Sequence, residues 1–152
     1  MEELLVYAIL LYEELVTENE YNKRLDELFL NDPKNDDLLY LEWETDIKKA
    51  VTYVRTNFDY NRLDVERLGR ILMRKLKEIY ADCSDIKYFA SRMFSLWESL
   101  PGNIQNIEPF WTLSYADEPL SWGDEEQTRD MYERMLNYYK DEDEVHITIP
   151  VL

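Results

Sequence analysis

From Val65 to Tyr80 the apolar residues Val65, Leu68, Ile71, Leu72, Leu76, Ile79 and Tyr80 recur at three- and four-residue intervals. That spacing places them on one face of an α-helix, with Arg67, Arg70, Arg74, Lys75 and Lys77 on the other. Asp64 stands before the run as an N-cap. Similar patterns recur along the chain, and only three glycines, Gly69, Gly102 and Gly123, occur in its 152 residues. The spacing predicts a mainly α single-domain helical bundle of five to seven helices.

Each helix start carries its own signal. Glu2 to Val16 reads as a first helix, with Leu4, Leu5, Ala8, Leu11, Tyr12 and Leu15 on a broad stripe and Val6, Ile9 and Leu10 filling much of the other side. A helix apolar nearly all round is central to a core, or uses its second face for a dimer contact. Thr17 and Glu20 have capping-box spacing and open a second helix that stops near Asn31, ahead of Pro33. After the turn-forming NDPKNDD loop, Asp36 or Asp37 caps a stretch with Leu38, Leu39, Leu41 and Trp43. Asp46 offers another start before Ile47, Ala50, Val51 and Val54, ending by Asn57. Ser84 caps a helix containing Ile86, Phe89, Ala90, Met93, Phe94, Trp97 and Leu100, closed by Pro101 and Gly102. Asp124 and Gln127 open the last helix, which reaches roughly Lys140.

Two segments break this regularity. Pro101 to Asp124 holds three prolines and the aromatics Phe110, Trp111, Tyr115 and Trp122. The tail from Val145 alternates Val145, Ile147 and Ile149 against His146 and Thr148, which is a strand pattern. A lone strand leaves backbone groups without partners. The other β-like run, Phe110 to Tyr115, is therefore the expected mate, giving a minor C-terminal β element.

Composition narrows the functional classes. Apolar residues make up 45% of the chain, enough for a core, while 33 acids against 17 bases leave a net charge of −16. Acids outnumber bases 15 to 6 in residues 1–60 and 12 to 3 in residues 101–152, whereas residues 61–100 hold 6 acids and 8 bases. A phosphate backbone or an anionic membrane needs a basic footprint, so neither is an expected partner. The apolar run from Leu4 to Tyr12 is nine residues long and lacks a basic leader, which fits a core helix of a cytoplasmic protein. The lone Cys83 excludes an intramolecular disulfide, as suits a reducing compartment.

The motif inventory points away from catalysis. One cysteine and one histidine do not assemble a structural zinc site, and the Asn31 to Asp37 loop lacks the central glycine of a calcium loop. His146 has no nucleophilic serine motif to serve, and Cys83 sits between Asp82 and Asp85, a setting that disfavours its thiolate. No glycine-rich phosphate loop exists. The expectation is no cofactor, no metal and no catalytic residue.

What remains is a surface of aromatics among acids: Glu108, Trp111, Tyr115, Asp117, Glu118, Trp122 and Asp124. Tryptophan and tyrosine are enriched at binding hot spots, and a long irregular segment is usually functional. The alternative is that these aromatics staple the segment to the core. The expected function is a non-enzymatic acidic domain that binds a basic protein, in the manner of immunity proteins or antitoxins that neutralise basic toxins. A dimeric helical adaptor or regulator and a carboxylate-dependent enzyme are the alternatives.

Overall fold

The computed structural model describes residues 1–139. Eight α-helices and two short 3-10 helices make up their regular structure. The chain falls into two units, Met1–Asp64 and the part that begins at Val65.

The first unit contains α1 (Glu2–Tyr12), α2 (Glu18–Asn31), α3 (Asp36–Trp43) and α4 (Ile47–Asn57), followed by a 3-10 turn at Tyr60–Arg62. Helix α1 packs against α2 and α4, and α2 packs against α3. Leu4, Leu5, Val6, Ala8, Ile9 and Leu10 are all buried, so both sides of α1 are consumed by the fold. Each fully buried leucine or isoleucine contributes about 1.5–3 kcal/mol of apolar transfer free energy. Tyr12, expected on the inward stripe, is exposed instead.

Helix α1 also ends earlier than its apolar pattern suggests. The Leu15 amide donates to Leu10 and the Glu14 amide to Leu11, while Glu14 takes φ 60°, in the left-handed region. These two bonds are a Schellman closure with glutamate where glycine is usual. Reversal there lets Thr17 start α2 at once. Its side chain accepts from the Glu20 amide at 3.1 Å, and the Glu20 carboxylate accepts from the Thr17 amide at 2.8 Å.

Between α2 and the 3-10 turn at Tyr60–Arg62 the chain forms two helices, α3 and α4. Asn35 caps α3, accepting from the amides of Asp37 and Leu38, so the cap lies one residue before the expected aspartates. Asp46 caps α4 as its position suggested. Tyr40 of α3 stacks on Tyr53 of α4 at 4.2 Å between centroids, and the Tyr53 hydroxyl donates to Asp37 at 2.6 Å.

The second unit contains α5 (Val65–Asp82), α6 (Ile86–Ser99), α7 (Thr112–Tyr115), a 3-10 turn at Glu118–Trp122, and α8 (Glu125–Leu136). Asp85, not Ser84, caps α6 by accepting from the amides of Lys87 and Tyr88. Helix α5 buries Leu68, Leu72, Met73 and Leu76. Phe89 links the layers, meeting Tyr80 and Tyr132 edge-on at 5.1 and 5.0 Å. Phe94, expected to face inward, is partly exposed. Helix α8 stops at Leu136, short of the expected end, because Asn137 and Tyr138 enter turn geometry.

The irregular segment corrects a further expectation. Phe110 to Tyr115 is not a strand. Its amides bond backwards, Leu113 to Phe110, Ser114 to Trp111 and Ala116 to Thr112, and Thr112–Tyr115 forms one helical turn. Phe110, Leu113 and Ala116 are fully buried at three-residue spacing, which an extended chain with two-residue alternation does not produce. This turn, α7, brings the α-helices among the described residues to eight, one more than the range read from the sequence. The proposed partner strand from Val145, with His146, lies outside the described residues. Among the described residues no helix is long and apolar enough to cross a membrane.

The left-handed Glu14 yields a direct stability test. An L-residue in this conformation costs on the order of 1 kcal/mol, which glycine does not incur. Glu14→Gly is expected to raise stability by about 0.5–1 kcal/mol over a Glu14→Gln charge control. Thermal unfolding of the two variants side by side checks it, and a lower midpoint for glycine contradicts the assigned closure.

Candidate functional site

The irregular segment is fastened to the second unit before it presents anything outward. The Trp97 indole donates to the Gln105 carbonyl at 2.9 Å, and the Gln105 amide returns a bond to the Trp97 carbonyl at 3.0 Å. Ile104, Phe110, Leu113 and Ala116 have no exposed surface. On α8 the buried Thr128 hydroxyl donates to the Ala116 carbonyl at 2.7 Å, joining the end of α7 to the last helix.

Outward positions on this base form a small cluster centred on Tyr115. Its hydroxyl donates to one oxygen of Glu108 at 3.3 Å, and the Thr112 hydroxyl donates to the other. The Tyr115 ring meets Trp111 edge-on at 5.4 Å between centroids. Trp111 keeps 49% of its surface exposed, and Ile107, whose carbonyl accepts from the Trp111 amide, keeps 44%. Glu108 is exposed as well. Three of the seven residues expected at the site therefore share one patch: Glu108, Trp111 and Tyr115.

The other four have different surroundings. Glu118 and Trp122 lie on the 3-10 turn that packs against α8, with Trp122 63% exposed. Gly123 closes this turn at φ 82°. Asp124 caps α8, its carboxylate accepting from the Gln127 amide at 3.0 Å, so it has a structural task. Asp117 is half-buried and acts on Tyr132. Burial first, and then the Asp117 charge, push the Tyr132 phenol well above its usual range, and among the described residues its hydroxyl has no hydrogen-bond partner. A shallow acidic groove of about 500 Å³ runs along α8 past Asp124, Glu126, Asp130 and Glu133.

The first unit holds two features that sequence inspection did not single out. A groove of about 990 Å³ lies between the end of α1 and α4, lined in part by Tyr12, Glu14, Lys48 and Arg55. The Arg55 guanidinium sits 4.8 Å above the Tyr12 ring, which explains why an exposed tyrosine is tolerated there. The second feature is a carboxyl pair. Glu42 on α3 is pushed up to about 7 by burial, then by its hydrogen bond to Asp26 of α2 and by that residue's charge. Among the described residues, one Glu42 oxygen is buried with no hydrogen-bond partner. Beside it the buried Tyr21 phenol is pushed up to about 12, chiefly by burial and then by Glu42.

Two carboxyl groups bond to each other only when one carries a proton. Asp26 and Glu42 stand sixteen positions apart, and among 33 acids no spacing marks the pair. The signal is tertiary, arising where α2 packs against α3.

A raised carboxyl pKa means that folding favours the protonated form. Its stabilisation is fully present below the unfolded value of about 4.5 and is lost as pH rises through about 7. Glu42→Gln retains a donor to Asp26 at every pH. The variant is expected to be more stable than the parent at pH 8 by on the order of 1 kcal/mol, since Glu42 is only partly buried, and to lose that advantage at pH 4.5. Urea unfolding at the two pH values checks this, and an advantage independent of pH contradicts the shared proton.

Comparison of the chain with protein-family models, curated proteins and solved structures found no match.

Proposed function

We propose that this chain is a non-enzymatic, acidic protein-binding domain of the cytoplasm whose partner is a basic protein, in the manner of an immunity protein or antitoxin. One observation carries the reading: Trp111 is half exposed while the backbone that bears it is anchored by fully buried residues on either side. Exposed tryptophan on a mobile loop loses much of its binding free energy to ordering, whereas a pre-positioned ring does not. A net charge of −16 supplies attraction toward a basic surface and repels nucleic acid.

The two alternatives fare differently. A dimeric adaptor using a second face of α1 would need residues that the fold already buries, Val6, Ile9 and Leu10 among them. A carboxylate-dependent enzyme is favoured by the raised Glu42 carboxyl beside Asp26, since perturbed carboxyls are typical of acid–base sites. Neither residue lines the 990 Å³ groove or the smaller groove of about 250 Å³ beside Tyr53 and Phe58. The binding reading is therefore the stronger one.

Affinity capture from the native cell, followed by salt titration of the recovered complex, tests it. The expected partner is basic, and its affinity falls as ionic strength rises. Trp111→Ala is expected to weaken the complex by at least about tenfold, as for a hot-spot aromatic, with an unchanged circular dichroism spectrum. Recovery of no basic protein, or binding indifferent to salt, overturns the proposal.

A further inference from the structure

The Glu108–Trp111–Tyr115 patch carries more chemical detail than a generic acidic surface. The Glu108 carboxylate has one oxygen engaged by the Thr112 hydroxyl and the other by the Tyr115 hydroxyl. Each oxygen has two acceptor directions, so one remains on each. Among the described residues these neutral hydroxyls are the partners of Glu108, and no cation neutralises it. The carboxylate is thus oriented by two hydroxyl donors, with no cation among the described residues paired to it.

Next to it stands an aromatic face. The Trp111 and Tyr115 rings stand nearly perpendicular with centroids 5.4 Å apart, and about half of the Trp111 surface stays open. Both Glu108 and Trp111 touch Tyr115, so a planar carboxylate and an exposed indole flank one side chain. That pairing suits a guanidinium, which is planar, takes a carboxylate through two parallel N–H groups and stacks on an indole. An ammonium has neither the fork nor the flat face, and meets the carboxylate as a point charge.

We infer that the Glu108–Trp111–Tyr115 patch is a receptor for an arginine side chain of the partner, with Glu108 binding the guanidinium edge and Trp111 its face. The inference rests on the protein-binding reading and sharpens it: the partner's recognition element is arginine, and lysine is a poor substitute. Tyr115 and Thr112 are positioning residues that hold the carboxylate from behind. Trp122, on the neighbouring 3-10 turn, has no part in the discrimination.

The test uses two fluorescein-labelled hexapeptides, hexa-arginine and hexalysine, titrated into the full chain at low salt. Both carry the same charge, so long-range attraction from the acidic surface cancels in their ratio. Wild type is expected to prefer the arginine peptide by about threefold or more, the range of an exposed cation–π contact with an added bidentate pair. Glu108→Gln and Trp111→Ala are each expected to bring the ratio close to one, while Trp122→Phe leaves it unchanged. Equal binding of the two peptides by wild type, or a preference that survives both Glu108→Gln and Trp111→Ala, overturns the inference. A captured basic partner that binds Glu108→Gln and Trp111→Ala as tightly as wild type overturns the arginine receptor but leaves the binding domain standing. Arginine preference in a chain that captures no basic partner does the reverse.

Discussion

Side-chain oxygens at helix starts set the layout of this fold. Helices α2, α3, α4, α6 and α8 begin on Thr17, Asn35, Asp46, Asp85 and Asp124, each accepting from amides of the first turn that no carbonyl can reach. A chain with three glycines has few other ways to divide one helical pattern from the next. The Schellman closure at Glu14 provides the complementary stop, and it does so with a residue that pays a conformational penalty. Once starts and stops are fixed, the buried faces of α1, α5 and α6 follow from their periodicity.

The acidity of the chain looks different when its carboxylates are followed individually. Asp46, Asp85 and Asp124 are spent on caps, Glu20 on the capping box, and Glu3 and Glu27 on Arg24. Glu42, beside Asp26, is pushed up to about 7 and so is drawn toward its neutral form. Glu108 belongs to neither group. It is exposed and held by two hydroxyls, with no cation beside it among the described residues, which distinguishes it from acids already answered within the fold.

Much of this was legible in the sequence because it depends on neighbours in the chain. The capping box at Thr17, the cap at Asp46 and the amphipathic α5 are local, and local rules locate them. Errors of one residue arose where several capping side chains compete, as between Asn35 and Asp36 or Ser84 and Asp85. The strand expected at Phe110 to Tyr115 failed for another reason: over six residues, periods of two and three overlap. Burial of Ile104, Phe110, Leu113 and Ala116 decides for the turn. Of the candidate site, the residue types were visible, but the grouping of Glu108 and Trp111 about Tyr115 required the helical turn that alternation had hidden. Asp26 and Glu42 offered no local signal at all.

The anchoring of residues 101–124 separates two kinds of positions in one short segment. Ile104, Phe110, Leu113 and Ala116 determine whether the segment folds, whereas Ile107, Glu108, Trp111 and Trp122 face outward. Outward substitutions leave the inner contacts intact, so recognition can diverge while the fold persists. Such a surface is able to follow a changing partner through successive point mutations without passing through an unstable intermediate.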